Sequence, residues 1–476
     1  MSDLDRHTRS LWLSSERFWM LLCIVIFVST VISWIPALEL PLGDDHQGRI
    51  LGRMALHADN FLARGWSGSN YIADWRPYSS VPYAHHPPLQ QFMHAGFAWL
   101  TGGASALGVR TVELAGGVLT AGLLTGFVRK LSGSWVPAAF AMGGLAVSGF
   151  FWLFGRSWGL LFVVTFFLIH LIDSRKTTGG ARALVFAIAV FTTLHSWQGS
   201  LTIGLLAIMD FLGASRRRAL ITFAGLAAGF SLDLLWIESA AGLGALAGHL
   251  QERIAAADYG ALDWLARQLG FLTRFESVPT VLLAVVGVIV GLKYAKYRPY
   301  MAASFLAVMM FAVVFYQNAW VHEYWNWRGA LVLALGMGSL GTWFVSVRRP
   351  DWARWGVAAL AVVTAAVPLL RLSGDLYAAQ YTESSAAGAL AERTEWPESQ
   401  PIVWHYGGLS GPRWLSWYSN LPDRQVDLDD PPDPFTFVFV KRSSGDGLEE
   451  VETMDSLGRY VVIQSDELVD RLGSSP

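Results

Sequence analysis

Two adjacent carboxylates, Asp44 and Asp45, follow the first membrane-length apolar run in the segment Gly43-Asp44-Asp45-His46. Acids beside an apolar helix are costly to place unless they coordinate, deprotonate or pair with something. A carboxylate that reaches a substrate hydroxyl acts as a general base, and a neighbouring acid can raise its proton affinity or help to hold a divalent cation. The plain alternative is a solvated turn, or an N-cap for a helix beginning near His46. Their position after the apolar run, within a long connection rich in acids, histidines and aromatics, favours chemistry.

Later in the same connection stands Tyr83-Ala84-His85-His86-Pro87-Pro88-Leu89. Pro-Pro suits a helix start, because its missing N–H groups fall where helix donors are unpaired anyway, and Leu89–Leu100 is amphipathic. Adjacent histidines diverge on an extended backbone, so one of the two, His86 for choice, can ligate a metal or contact a phosphate. A third group is Gln317-Asn318-Ala319-Trp320-Val321-His322-Glu323-Tyr324-Trp325-Asn326-Trp327-Arg328. Its tryptophans suit an interfacial belt, but His322, Glu323 and Arg328 are not belt residues, and a guanidinium matches a phosphate bidentately. Arg156, in the turn Gly155-Arg156-Ser157-Trp158, is a second cation for that role, or else snorkels to lipid headgroups.

The elements that must position these residues are membrane helices. The chain has 476 residues, of which 53% are hydrophobic and 15% charged, with a mean hydropathy of +0.38. That is the profile of a polytopic membrane protein. A net charge of −2 gives no sign of nucleic-acid binding, and a single cysteine, Cys23, rules out an intramolecular disulfide. Apolar runs predict spans near 18–36, 106–128, 135–154, 158–172, 183–194, 199–213, 219–237, 277–292, 299–317, 329–347 and 354–370. Lys and Arg cluster on one side of these spans, from Arg6, Arg9 and Arg17 to Arg348 and Arg349, against Arg156 and Arg328 in the short loops opposite. The expected topology is multi-pass in the inner or plasma membrane, with the N-terminus (1–17) cytoplasmic and the C-terminus outside. Residues 183–213 must hold two short spans and the polar turn Leu194-His195-Ser196-Trp197-Gln198-Gly199. Non-helical backbone at membrane depth needs protein or water around it, so His195, Trp197 and Gln198 are expected to line a cavity.

Three parts are expected outside the membrane. The first loop, 37–105, is polar and aromatic, with Arg49–Leu62 reading as a short amphipathic helix. The segment 238–276 reads as an interfacial amphipathic loop, with Leu262, Leu265 and Leu269 among its apolar residues. The tail, 371–476, has soluble composition; Pro401–Tyr406, Thr436–Lys441 and Tyr460–Gln464 read as strands, Asp466–Leu472 as a closing helix, and Asp427–Pro434 as a turn or linker. The fold class is therefore an all-α polytopic membrane protein of about 11 helices, whose membrane part spans 18–370, with a small α/β unit in the tail.

These residues together resemble the GT-C glycosyltransferase superfamily, in the branch of protein O-mannosyltransferases and lipid A aminoarabinose transferases. The resemblance covers about residues 1–370. It rests on the acidic pair after span one, the Pro87-Pro88-Leu89 segment leading into a helix, Leu100-Thr101-Gly102 and Val109-Arg110 opening span two, a Trp-containing outer turn before span six, and His322-Glu323-Tyr324 late in the chain. It implies transfer of a sugar from a polyprenyl-phosphate carrier to an acceptor on the non-cytoplasmic side, usually with inversion. Asp44, or its neighbour Asp45, then accepts the hydroxyl proton. Arg328, Arg156 or His322 meets the phosphate charge, and His86, Glu323, Tyr324, His195, Trp197 and Gln198 line the donor pocket. The family commonly has Asp-Glu where this chain has Asp-Asp, which leaves open which aspartate is the base. The resemblance leaves a divalent metal ion open as a cofactor, since some relatives bind a divalent cation and others need none; Asp45, His86 and Glu323 are the ligands available for one. The expected partners are the lipid-linked donor, membrane lipids, and a glycolipid, polysaccharide or protein acceptor.

Three rivals stand beside this reading. A transporter or flippase of a lipid-linked or small polar solute also carries intramembrane histidines and arginines, but would show matching halves, whereas the first loop and the tail have no counterpart. A non-catalytic lipid-binding member of the same fold would have less reason to keep both aspartates. An O-antigen polymerase or ligase places its large loop late in the chain.

Overall fold

The computed structural model describes residues 3–84, 86–154, 158–175, 178–213, 215–254, 259–276, 278–322, 327–346, 383–407, 409, 412–427, 432–433, 436–442, 453–457, 459–465 and 468–469. His85, Arg156, Glu323, Tyr324, the expected span 354–370 and most of the expected closing helix lie outside the described residues.

In chain order the helices are α1 (Asp3–Ile32), α2 (His46–Gly68), α3 (Leu89–Thr101), α4 (Ala106–Ser132), α5 (Trp135–Val147), α6 (Gly149–Phe154), α7 (Trp158–Arg175), α8 (Gly179–His195) and α9 (Trp197–Leu212). There follow α10 (Arg216–Ala240), α11 (Leu243–Ile254), α12 (Ala261–Phe275), α13 (Val278–Lys293), α14 (Arg298–Val314), α15 (Tyr316–Val321), α16 (Gly329–Ser346), α17 (Glu383–Arg393) and α18 (Arg413–Ser419). Among the described residues, Glu16–Leu38, Ala106–Ser132, Arg216–Ala240 and Gly329–Ser346 are each long and apolar enough to cross a membrane alone. The shorter apolar helices α5, α7, α8, α9 and α14 stand where further spans were expected.

One large apolar core runs through the bundle, from Trp19 and Ile26 on α1 to Phe127, Met142, Phe166, Val185, Met301 and Leu335. Small residues let the backbones close up where lipid-like side chains supply little net drive for association. On α10, a Cβ at Gly225 would lie 2.7 Å from the Phe186 carbonyl of α8, and one at Gly229 would lie 2.7 Å from Thr193 Cβ.

Two expected spans are subdivided. The segment 135–154 breaks at Ser148, whose hydroxyl donates to the Glu276 carboxylate and accepts from Phe151 N at 3.0 Å to cap α6. The segment 299–317 ends at Val314, and α15 is a separate turn of helix. In both cases a local polar interaction or backbone turn stops a run whose hydropathy alone would continue.

Residues 37–105 fold as two helices. Asp45 is the N-cap of α2, accepting Gly48 N at 2.7 Å, and Pro88 precedes α3. Leu262, Leu265 and Leu269 of α12 are exposed.

The tail holds a five-stranded sheet of β1 (Val403–Tyr406), β2 (Asp423–Gln425), β3 (Phe437–Lys441), β4 (Asp455–Leu457) and β5 (Tyr460–Gln464) in the order β2-β1-β3-β5-β4. β1 runs parallel to β2 and β3, while β5 is antiparallel to β3 and β4. The three expected strands coincide with β1, β3 and β5. The three-residue β2 and β4 are too short to leave a periodic signal.

The sheet unit rests on the first loop. Trp417 Nε1 donates to Asp59 at 2.7 Å, and Leu42 N donates to the Tyr418 hydroxyl at 2.9 Å. At Gly43 a Cβ would fall 1.8 Å from the Ser384 carbonyl oxygen, so only glycine permits this approach of loop and α17.

Candidate active site

A cavity of about 220 Å³ opens where α2, α3, α4, α9 and α14 meet the α8–α9 break and the turn before α16. Its polar lining comprises His46, Gln47, Arg53, His86, Gln90, Glu113, His195, Ser196, Gln198 and Arg328. Apolar walls come from Ile50, Phe154, Trp197, Phe311, Phe315 and Trp327.

The α8–α9 break consists of one residue. Ser196 is at once the C-cap of α8 and the N-cap of α9, its hydroxyl accepting Gly199 N at 3.2 Å. Arg328, at the foot of α16, donates from Nη2 to the same Ser196 hydroxyl and lies over the Trp327 ring, 5.1 Å from its centroid. Among the described residues, its Nε and Nη1 are buried with no hydrogen-bond partner, and so are both ring nitrogens of His195 and Nε2 of Gln198. Buried polar atoms nearly always find partners. Two guanidinium nitrogens and an amide N–H left over in one cavity form a site for an anion, and a phosphate suits a guanidinium best.

On the α2 side, His46 packs edge-on against Phe154, with ring centroids 5.3 Å apart. Burial pushes its pKa well below the ordinary histidine value, and the neighbouring Arg49 guanidinium pushes it the same way. Arg53 holds its guanidinium 4.0 Å from the Tyr83 ring centroid. His86 faces Trp197 across the cavity, with centroids 6.2 Å apart.

The expected site residues thus divide. His86, His195, Trp197, Gln198 and Arg328 lie together on the cavity. His322 is close enough to His46 to lower its proton affinity, but lines no part of the cavity. Asp44 and Asp45 line none of it either. Asp44 Oδ2 accepts Lys441 Nζ of β3 at 2.5 Å and the Tyr460 hydroxyl of β5 at 3.3 Å, and its side chain is fully shielded. Tyr460 is pushed up to about 12 by burial, with Asp44's charge adding to the effect. Asp45 Oδ1 accepts Gly48 N at the α2 N-terminus, and its Oδ2 accepts the Ser384 hydroxyl at 2.7 Å. Burial raises its pKa, with Arg110 and these donors opposing. The capping alternative weighed for Asp45 is what its geometry fulfils, and the ion pair to a residue nearly four hundred positions away could not be foreseen from local sequence.

Among the described residues, no three His, Cys, Asp or Glu side chains converge on a point that would hold a metal ion. Of the ligands named for one, Asp45 is committed to its cap and Ser384, and Glu323 lies outside the described residues. The described donors do not make a metal site.

Sequence reasoning passed over Glu113, Gln90, His94 and Arg53. Gln90 Nε2 donates to Glu113 Oε1 at 3.0 Å, and His94 Nε2 lies 2.9 Å from the same oxygen. The available signal was the Gln90–His94 spacing, which puts two polar side chains on one face of an otherwise apolar helix.

A scan of protein-family models finds no match to the chain. A search of curated proteins finds none either. Among solved structures, the chain is similar to the crystal structure of ArnT from Cupriavidus metallidurans bound to undecaprenyl phosphate, with a TM-score of 0.57 and 15% identity over 93% of this chain and 98% of that one. It also matches the archaeal oligosaccharyltransferase AglB from Archaeoglobus fulgidus, in complex with an inhibitory peptide and a dolichol-phosphate, with a TM-score of 0.48 and 13% identity over 84% of this chain and 64% of that one. The bundle, the long first loop and the sheet-bearing tail together make this a polytopic membrane protein with the fold of that ArnT structure.

Proposed function

We propose that the protein is an integral-membrane glycosyltransferase that takes a sugar from a polyprenyl-phosphate carrier and transfers it, with inversion, to an acceptor hydroxyl on the non-cytoplasmic side. The observation that carries this reading is the set of buried, unpartnered donors on Arg328 and Gln198, beside His195, in a cavity that also has aromatic walls. That set fits the phosphate of the leaving group, whose negative charge grows as the glycosidic bond breaks. Phe311 of α14 and Phe315 just beyond its end offer an apolar approach for the isoprenoid. The Lys and Arg distribution supports the side, and the ArnT structure was solved with undecaprenyl phosphate bound. The carboxylates of Asp44 and Asp45 serve this reading by fastening the first loop to the tail, beside the cavity rather than in it.

The test uses purified full-length protein in nanodiscs, a panel of radiolabelled polyprenyl-phosphate sugars and a membrane extract as acceptor. Transfer of label with release of polyprenyl phosphate is expected. A protein that releases no sugar from any donor, yet moves a solute across vesicles, would be a transporter instead.

A further inference from the structure

The geometry points to Glu113 as the residue that takes the acceptor's proton, with Gln90 and His94 as the residues that position it; this rests on the transfer reaction proposed above. Glu113 projects from α4, and Gln90 and His94 from α3, one helical turn apart. Both meet the same oxygen, Oε1, through Gln90 Nε2 at 3.0 Å and His94 Nε2 at 2.9 Å. Among the described residues, Glu113 is the one Asp or Glu that lines the cavity. Its side chain keeps 8% of its exposure while that of His94 keeps none, so the carboxylate stays at the cavity surface and the imidazole stands behind it.

A purely structural ion pair tying α3 to α4 would not need to border the cavity. A carboxylate with one oxygen held by two donors instead presents its other oxygen in a set direction, as a general base requires. Among the described residues His94 Nδ1 has no hydrogen-bond partner, and the ring's one hydrogen bond runs to Glu113.

The step balances. The acceptor oxygen forms a bond to the anomeric carbon, and the bond from that carbon to the phosphate oxygen breaks. The electron pair leaves with polyprenyl phosphate, whose charge faces Arg328, and the hydroxyl proton passes to Glu113 and then to water.

The experiment compares full-length wild type, Glu113→Gln, His94→Gln and His94→Leu in nanodiscs. It measures transfer from the radiolabelled donors and, separately, binding of undecaprenyl phosphate. Glutamine at 113 keeps an oxygen for Gln90 and His94 but cannot take a proton at neutral pH. Turnover should fall by about 10²–10⁴-fold, with undecaprenyl phosphate affinity and donor KM unchanged. His94→Leu should lower turnover by about 10–100-fold through misplacement of the carboxylate, and His94→Gln, which keeps an N–H donor, should recover most of that loss. Wild-type turnover in Glu113→Gln would overturn the inference while leaving the transferase reading intact. Loss of undecaprenyl phosphate binding in step with turnover would overturn it too, by making Glu113 structural. If wild type itself releases no sugar from any donor, the transferase reading fails and this inference fails with it.

Discussion

At the Asp44–Asp45 corner the chain supplies donors to its own carboxylates: Lys441 and Tyr460 to Asp44, the α2 N-terminus and Ser384 to Asp45. On the cavity wall the balance is reversed. Arg328, Gln198 and His195 carry buried nitrogens that nothing in the described chain engages, and Glu113 has one oxygen held by two donors. Charges that satisfy one another hold a fold together. Charges left partly unsatisfied in a cavity are held ready for something that arrives from outside. The lesson is that an acidic pair is not a catalytic site until its donors have been counted.

The sharpest way to break this comparison is to neutralise one carboxylate of each region. Glu113→Gln should cost turnover by orders of magnitude, whereas Asp44→Asn should act mainly on stability. Equal turnover losses in the two variants would place the corner within the reacting site.

Next in size is the anion side. Arg328→Gln removes a charged donor and should weaken undecaprenyl phosphate binding by about 10–100-fold, the value of a hydrogen bond to a charged group, as measured by titration in nanodiscs. The fold should survive, because Nε and Nη1 have no hydrogen-bond partner among the described residues and the Ser196 hydroxyl that Nη2 engages still accepts Gly199 N. Unchanged affinity would remove the phosphate assignment from Arg328.

The tail contact should show up as stability. Lys441→Met leaves Asp44 shielded without its cation, and should cost about 1–3 kcal/mol, less than a fully buried pair because the Lys441 side chain keeps 21% exposure. A lowered unfolding temperature with undecaprenyl phosphate affinity intact is expected. Lost affinity with unchanged stability would tie the tail directly to the ligand.

The smallest effect belongs to Asp45. Burial raises its folded-state pKa above the unfolded value, so the stability it contributes is fully present below the unfolded value and is lost as pH rises through the folded one. Asn caps a helix as well as Asp and carries no charge to desolvate. Asp45→Asn should therefore leave stability at neutral pH equal or slightly higher, and should abolish that part of its pH dependence, read as unfolding temperature against pH. A loss of stability at neutral pH would show that the ionised form is the one the fold prefers.

Much of this molecule could be read from residue order alone, wherever the governing interaction is local. Hydropathy placed the membrane helices because a bilayer demands apolar runs. The polar interruption at His195–Gln198 marked a cavity because unpaired backbone cannot face lipid. Alternating strand patterns found β1, β3 and β5, and the Asp45 cap was visible as an alternative three residues before its donor, Gly48. What tertiary structure alone decided was which charges meet. Lys441 reaches Asp44 across 397 positions, Arg328 reaches Ser196 across 132, and His94 finds Glu113 from the neighbouring helix. Such pairings leave no periodic trace, because each depends on how whole helices and a sheet pack. They separate Asp44 and Asp45, which tie the first loop to the tail, from Glu113, which faces the cavity.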